Sequence, residues 1–266
     1  MEGGKYNSKI LHRVMLKDFF GGGKICFFRK TCVDKSLTIK NEVITLFVCI
    51  DFDGTISNTD VTDAILTHFA DTEWEVIEKL WVDGKIGSRQ CLDAQVKLLK
   101  APLREILEFV DSLTIDPTFF DFVKCLRARN IGHAIVSDGF SIFIKHILTN
   151  YGLGDMQIYA NGLIEHQGML KAYFPFKESQ CKSGNCKCSI ADKLCEFPPI
   201  VLIGDGSSDF CLAGKADAVF AKNKLAMHCE QNNILYQQFT KFSEVSEPLM
   251  KLHSVNTRLR IGEIVV

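Results

Sequence analysis

The sequence predicts an α/β fold: a parallel sheet with helices on both faces and a block of helices inserted after the first strand. Three observations carry that expectation. From residue 43 onward, short β-rich runs alternate with helical stretches, the rhythm of strand–helix units packed into a covered parallel sheet. Three of those runs end in the same kind of short polar turn: Asp51-Phe52-Asp53-Gly54-Thr55, Ser137-Asp138-Gly139 and Gly204-Asp205-Gly206. Residues 60–113 interrupt the rhythm with an almost purely helical pattern, apolar residues recurring three and four apart as in Leu92, Val96 and Leu99.

Composition bounds what such a fold can be. The 266 residues are 47% hydrophobic and 24% charged, with twenty Phe, enough apolar content to bury a large core and to exclude disorder over most of the chain. Lys and Arg number 31 against 32 Asp and Glu, so no field of one sign is available to attract nucleic acid or a membrane surface. The apolar run Val43–Ile50 is too short to span a bilayer. The charge is nonetheless uneven: residues 1–44 carry nine Lys/Arg and four Asp/Glu, net +5, which leaves −6 for the remainder. Residues 1–43, with Gly21-Gly22-Gly23 and little periodicity, read as a basic N-terminal extension, an organelle-targeting or anion-contacting arm being the alternative. Eleven cysteines, an odd number scattered through core-like segments, and a start without an apolar stretch predict free thiols in a reducing cytoplasm.

The elements follow in order. Val43–Ile50 is the first strand, and Asp60–Ala70, Glu73–Trp81, Ser88–Lys100 and Leu103–Leu113 are the inserted helices. Trp74 and Trp81, seven apart, are assigned to core packing. Asp116-Pro117 is an N-cap with proline at the first helical position, opening a helix with Phe119, Phe122, Val123 and Leu126 on one face. His133–Val136 is a strand and Phe140–Asn150 a helix; Met156–Ala160 and Leu163–Tyr173 suggest a strand and a hairpin around Asn161-Gly162. After the cysteine-bearing loop Cys181–Cys188 come a helix at Ile190–Glu196 and a strand at Pro199–Ile203. Ser208–Gly214, Ala218–Phe220 and Lys222–Gln231 complete another strand–helix cycle. The organisation is a core at 44–58 and 115–240, a helical insert at 59–114 and a C-terminal tail at 241–266.

The chemistry sits at the strand ends, because the carboxyl edge of a parallel sheet faces the ligand crevice. Asp51 and Asp53, one residue apart on extended backbone, point to the same side, and Gly54 lets the chain turn sharply. Asp205 and Asp209 bring further carboxylates, which repel unless a cation neutralises them. Hard oxygen ligands suit Mg2+, which keeps waters and binds a substrate phosphate. Ser137 offers a hydroxyl, and the amides that follow it a seat for phosphate at a helix start.

In this order, Asp-x-Asp-Gly-Thr, a strand-end Ser, a Lys and Gly-Asp-x-x-x-Asp resemble the haloacid dehalogenase superfamily of phosphatases over residues 44–240. The helical insert resembles the cap of the phosphoserine-phosphatase-like branch, and Cys181–Leu194 with Gly204–Lys222 are most similar to the methionine-salvage phosphatases of that branch. The resemblance implies a Rossmann-like three-layer core and a reaction on a small phosphorylated metabolite. It also implies roles. Asp51 would be the nucleophile and Asp53 the general acid, then base. Asp51, the Asp53 carbonyl and Asp205 would hold Mg2+, supported by Asp209. Ser137 and Lys187 would hold the transferring phosphoryl group, helped by Thr55 and the Gly139 amide. Lys187, eighteen residues before Asp205 at an apparent helix start, is the favoured lysine; Lys193 is the alternative. Asp60 sits where this branch places an acidic residue facing the substrate, and Arg89 is a candidate for contact with a substrate group distal to the phosphate; both read equally as exposed helix residues, Asp60 as an N-cap. Cys181, Cys186 and Cys188 form either a thiolate metal site or a reduced loop that places Lys187. Rival readings are a phosphoserine- or phosphocholine-type phosphatase, a non-catalytic phosphate-binding relative and a thiolate-metal interaction protein.

Overall fold

The computed structural model describes residues 46–194 and 199–263, with side chains as far as Ser254. The expected extension at 1–43 lies outside the described residues, as do Cys26, Cys32 and Cys195.

Seven strands form one sheet: β1 (Phe47–Ile50), β2 (Gly132–Phe140), β3 (Ile158–His166), β4 (Met169–Tyr173), β5 (Ile200–Gly204), β6 (Ala218–Ala221) and β7 (Gln237–Gln238). Their order is β4-β3-β2-β1-β5-β6-β7. All neighbours are parallel except β3 and β4. Val48, Cys49 and Ile50 of β1 and every residue of β5 are buried, which is why these strands read as continuous apolar runs rather than alternating ones. From β1 the chain builds outward through β2 and β3, then crosses back to β5 on the other side of β1. The switch point between β1 and β5 opens a crevice beyond their carboxyl ends.

Between β1 and β2 the chain forms α1 (Val61–Phe69), α2 (Glu73–Val82), α3 (Ser88–Val96), α4 (Leu103–Val110) and α5 (Phe119–Ala128). Then follow α6 (Ser141–Asn150), α7 (Lys187–Leu194), a 3-10 turn at Ser207–Asp209, α8 (Phe210–Ala213), α9 (Asn223–Gln231) and α10 (Phe242–Glu263). Ile190, Leu212 and Leu225 from α7, α8 and α9 pack with Cys49, Leu202 and Val219 of the sheet. The segment 241–266 contributes α10, which buries Phe242, Val245, Leu249 and Leu252. The Phe242 ring lies 4.8 Å from that of Phe119 and 5.0 Å from that of Phe122. Buried Asp116 accepts from the Phe242 N–H at 2.7 Å and from the Thr118 N–H at 2.8 Å, so one carboxylate caps the starts of both α5 and α10.

Three expectations are corrected. The hairpin turns at Gln167-Gly168, whose φ values of 52° and 75° suit a tight two-residue connection, and Asn161-Gly162 lies inside β3. The second strand runs through Ser137-Asp138-Gly139 to Phe140, with an irregularity between Val136 and Phe140, so α6 begins only at Ser141. Cys188 of α7 and Cys211 of α8 are joined in a disulfide, against the expectation of free thiols. The two helices pack side by side, which a separation of 23 residues in sequence does not reveal. Cys91, Cys125, Cys181, Cys186 and Cys229 are free thiols. Among the described residues no helix is long and apolar enough to cross a membrane.

The Phe119–Phe122–Phe242 cluster makes α10 part of the cooperative core. Phe242→Ala is expected to lower the unfolding free energy in urea by about 3–5 kcal/mol, the usual range for a buried Phe truncated to Ala. A loss below about 1 kcal/mol would show that α10 folds and unfolds apart from the sheet.

Candidate active site

β1, β2 and β5 deliver their last residues to one edge of the sheet. The Asp51 N–H donates to the Ile203 carbonyl at 2.9 Å, which fixes the first carboxylate at the β1–β5 junction. Gly54 then turns the chain with φ +66°; a Cβ there would lie 2.6 Å from Asp205 Oδ2, so the turn needs glycine for both its backbone and the close approach of Asp205.

Lys187 is the centre of the arrangement. Its side chain is 1% exposed, with Nζ 2.8 Å from Asp51 Oδ1 and 2.6 Å from Asp209 Oδ1. Burial works against its ammonium, but Asp209 and Asp51 outweigh burial and hold its pKa above the ordinary lysine value. Lys193 lies on the surface, paired with Glu178. Asp209 Oδ2 accepts the amides of Asp205 and Gly206, each at 3.2 Å, so this carboxylate orders its own loop as well as the lysine.

Asp53 Oδ1 accepts the Val61 N–H at 2.9 Å, at the start of α1, and Oδ2 accepts the Ser137 hydroxyl at 3.2 Å. Burial, then the charge of Asp60, pushes its carboxyl up to about 8. The Ser137 hydroxyl in turn accepts the Gly139 amide at 2.9 Å. Asp60 caps α1 by accepting the Asp63 N–H at 3.0 Å and also lines the cavity.

Asp51, Asp205 and Asp209 can each place an oxygen within 4.8 Å of the others, a group that could hold a metal ion. Burial and the nearby Asp209 charge press Asp51 toward its neutral form, against Lys187. Asp205 is raised by burial, with Asp209 adding to it. The donor set fits a hard divalent cation: all-oxygen, partly buried, and short of positive charge with one lysine among three carboxylates. Asp209 spends both oxygens on Lys187 and backbone amides, which leaves Asp51 and Asp205 as the freer ligands.

Asp51, Asp53, Ser137, Gly139 and Asp205 form the floor of a cavity of about 480 Å³, with Lys187 and Asp209 behind it. The insert supplies the opposite wall, with Glu78, Trp81, Ser88, Cys91, Leu92 and Gln95 among its lining residues. Glu78 is held there by the Gln95 side-chain amide at 3.0 Å.

Several expected positions take different contacts. Thr55 is buried and donates its hydroxyl to Asp205 Oδ1 at 3.2 Å, so it steadies that carboxylate instead of lining the cavity. Arg89 does not line the cavity: α3 turns Ser88, Cys91, Leu92 and Gln95 toward it, the i, i+3, i+4, i+7 face, and Arg89 lies off that face. Trp81 is a cavity residue and not core, because α2 has no buried residue and lies across the opening. Cys188 is taken up by its disulfide, and among the described residues the metal-competent cluster is the carboxylate one. Sequence reasoning missed Lys222, which donates to the Thr55 carbonyl at 3.2 Å, and Asn223, which donates to Asp205 Oδ2 at 3.3 Å. Both follow the carboxyl end of β6, so the strand-end rule that singled out the other three loops points to this fourth one as well.

A parallel sheet with acidic strand-end loops, a buried lysine between two of the carboxylates and a helical insert over the crevice defines the haloacid dehalogenase class of phosphatases. A family profile described as "Putative Phosphatase" matches residues 46–247, and the chain belongs to that family. The chain is 32% identical over 215 residues to the 2-hydroxy-3-keto-5-methylthiopentenyl-1-phosphate phosphatase of Exiguobacterium sibiricum, covering 77% of this chain and 97% of the relative. It is 28% identical to the enzyme of the same name from Bacillus cereus, over 80% of this chain and 99% of the relative. A substrate-bound phosphoserine phosphatase superposes with a TM-score of 0.60 at 24% identity, over 76% of this chain and 96% of that one. A phospho-aspartyl intermediate analogue of phosphoserine phosphatase gives a TM-score of 0.58 at 23% identity, over 74% of this chain and 94% of that one. At these identities the solved structures establish the fold.

Removing the Lys187 charge leaves Asp51 and Asp209 buried without their counter-ion. Lys187→Met is expected to cost about 3–5 kcal/mol of stability, the range for breaking one partner out of a buried ion pair, whereas Lys193→Ala leaves the urea midpoint where it is. Equal effects of the two changes would contradict this assignment.

Proposed function

We propose that this chain is a Mg2+-dependent phosphatase that hydrolyses a small phosphorylated metabolite through an aspartyl-phosphate on Asp51. The observation that carries the reading is a pair of neighbouring carboxylates, Asp51 and Asp53, held by different partners. Asp51 is held beside the Lys187 ammonium at 2.8 Å, and Asp53, raised to about 8, is held by Ser137 and the start of α1. Burial raises both carboxyls, and their partners separate their tasks: the ammonium beside Asp51 favours an ionised nucleophile, whereas the hydroxyl and amide at Asp53 leave it a carboxylic proton to give.

In this reading an Asp51 oxygen attacks phosphorus and the bond to the leaving oxygen breaks, while the Asp53 carboxylic proton goes to that oxygen. Asp53, now ionised, takes a proton from water, whose oxygen attacks phosphorus, releasing phosphate and restoring Asp51. Lys187 and the Ser137 hydroxyl offset charge on the phosphoryl oxygens. Mg2+ held by Asp51 and Asp205, and by the Asp53 carbonyl, would supply the positive charge that lets a phosphate dianion approach so many carboxylates. Asp209 keeps Lys187 and the Asp205 loop in place for it. The helical insert at 59–114 acts as a cap on the core at 44–58 and 115–240, opening for substrate and excluding bulk water when closed.

The relatives' printed substrate, 2-hydroxy-3-keto-5-methylthiopentenyl 1-phosphate, is the first candidate, and the apolar part of the wall, Trp81, Cys91 and Leu92, suits a methylthio end. The second reading is a phosphoserine- or phosphocholine-type phosphatase, favoured by Asp60, Asp63 and Glu78 on the same wall, which suit an ammonium. Comparing kcat/KM across a panel of both kinds of ester separates them.

Hydrolysis of p-nitrophenyl phosphate is expected to stop on chelation and return with Mg2+. In Asp51→Asn it is expected to fall by on the order of 10³-fold or more, the scale of losing a covalent nucleophile. Metal-independent turnover that survives the substitution would overturn the mechanism.

A further inference from the structure

The insert meets the core at a polar seam that the chemistry above does not use. Its centre is Asp138, between Ser137 and Gly139 in β2. Asp138 Oδ2 accepts the hydroxyl of Ser88, the first residue of α3. Asp138 Oδ1 accepts the Asn185 N–H at 2.8 Å and the Asn161 side-chain amide at 3.1 Å. The Asn185 side chain donates to the Ser137 carbonyl at 2.7 Å, and Lys187 follows two residues later. Ser88 Oγ also accepts the Gly184 N–H at 3.1 Å, and the Arg89 N–H donates to the Lys182 carbonyl at 3.3 Å.

The seam is tight on both sides. A Cβ at Gly87 would lie 2.2 Å from the Lys182 carbonyl oxygen, and one at Gly184 would lie 2.9 Å from Asp138 Oδ1. Ser88, Asn161 and Asn185 are 8%, 0% and 2% exposed, so these polar groups depend on one another and not on water. An ionised carboxylate, acceptor on every lone pair, is the side chain that can take donors from the cap, from β3 and from the loop before Lys187 at once.

We propose that Asp138 is a positioning residue that fastens the cap to the end of β2 carrying Ser137 and to the loop leading into Lys187, making cap closure and alignment of the phosphoryl-binding groups a single event. The proposal rests on the phosphatase reading for its kinetic consequence and on the seam alone for its mechanical one. Opening the cap removes the Ser88 donor and loosens the loop that Asn185 and Gly184 belong to, so an open site is also a misaligned one. Substrate that holds the cap shut thereby orders Ser137 and Lys187.

Ser88→Ala removes the cap's arm of the network and leaves the core's arms intact; Ser88→Thr keeps the hydroxyl. Asp138→Asn keeps the shape and turns a donor toward one of three donors. Hydrogen exchange on the full chain is expected to quicken in Ser88→Ala both at the start of α3 and in residues 182–186, and to return toward wild type in Ser88→Thr. KM for p-nitrophenyl phosphate is expected to rise on the order of ten-fold, the scale of one hydrogen bond to a charged group, with kcat falling further in Asp138→Asn than in Ser88→Ala. Faster exchange confined to α3 with an unchanged KM, or no change in either segment, overturns the coupling. If the wild-type chain hydrolyses no phosphate ester, the phosphatase reading fails and the exchange in residues 182–186 still decides whether cap and loop move together.

Discussion

Lys187 carries a full charge at a place where its side chain is almost out of reach of water, and Asp51 and Asp209, at 2.8 and 2.6 Å, are what make that placement tolerable. Taking an ammonium from water costs several kcal/mol, so the three groups must arrive together. Asp51 comes from the end of β1, Asp209 from the turn after β5 and Lys187 from the first residue of α7. The β1–β5 register, the burial of α7 and the turn at Ser207–Asp209 are therefore tied to one electrostatic requirement. The disulfide ties α7 to α8, with Cys188 beside Lys187 and Cys211 two residues past Asp209.

That requirement also shapes what the cavity can accept. The lysine is committed to two carboxylates, and Asp53, Asp60 and Asp205 add further acid around the opening. A phosphate ester enters such a place only with additional positive charge, which is the physical case for a divalent cation between Asp51 and Asp205. Distance along the chain matters little here: Thr55 and Asn223 hold the two oxygens of Asp205 from positions 150 and 18 residues away.

The strand-end carboxylates were legible in the sequence because buried parallel strands announce themselves as apolar runs, and the acid and glycine that follow stand out against them. Lys187 was legible because it opens a helix next to those ends. The seam was not. Asn161-Gly162 carries the strongest short-range turn signal in its region, yet the Asn161 amide is needed at Asp138, and the turn falls at Gln167-Gly168, which has no such signature. Periodicity placed Trp81 on one helical face without saying whether that face meets protein or a cavity. Arg89 sat one residue from the seam's Ser88, and a single step along a helix rotates a side chain by about 100°, off the cavity face. Cysteine counting failed at Cys188 and Cys211 because pairing depends on how α7 and α8 pack.

The central claim is that Asp51, the cavity-lining one of the two carboxylates held by Lys187, is the group that takes the phosphoryl. Acid quenching of the Mg2+-loaded enzyme during turnover, reduction with borohydride and peptide mass mapping test it directly, since an acyl phosphate is reduced to an alcohol and a free carboxylate is not. The account predicts homoserine at position 51 alone. Homoserine at Asp53 or Asp205, or an enzyme that turns over while all its aspartates survive the reduction, would contradict it.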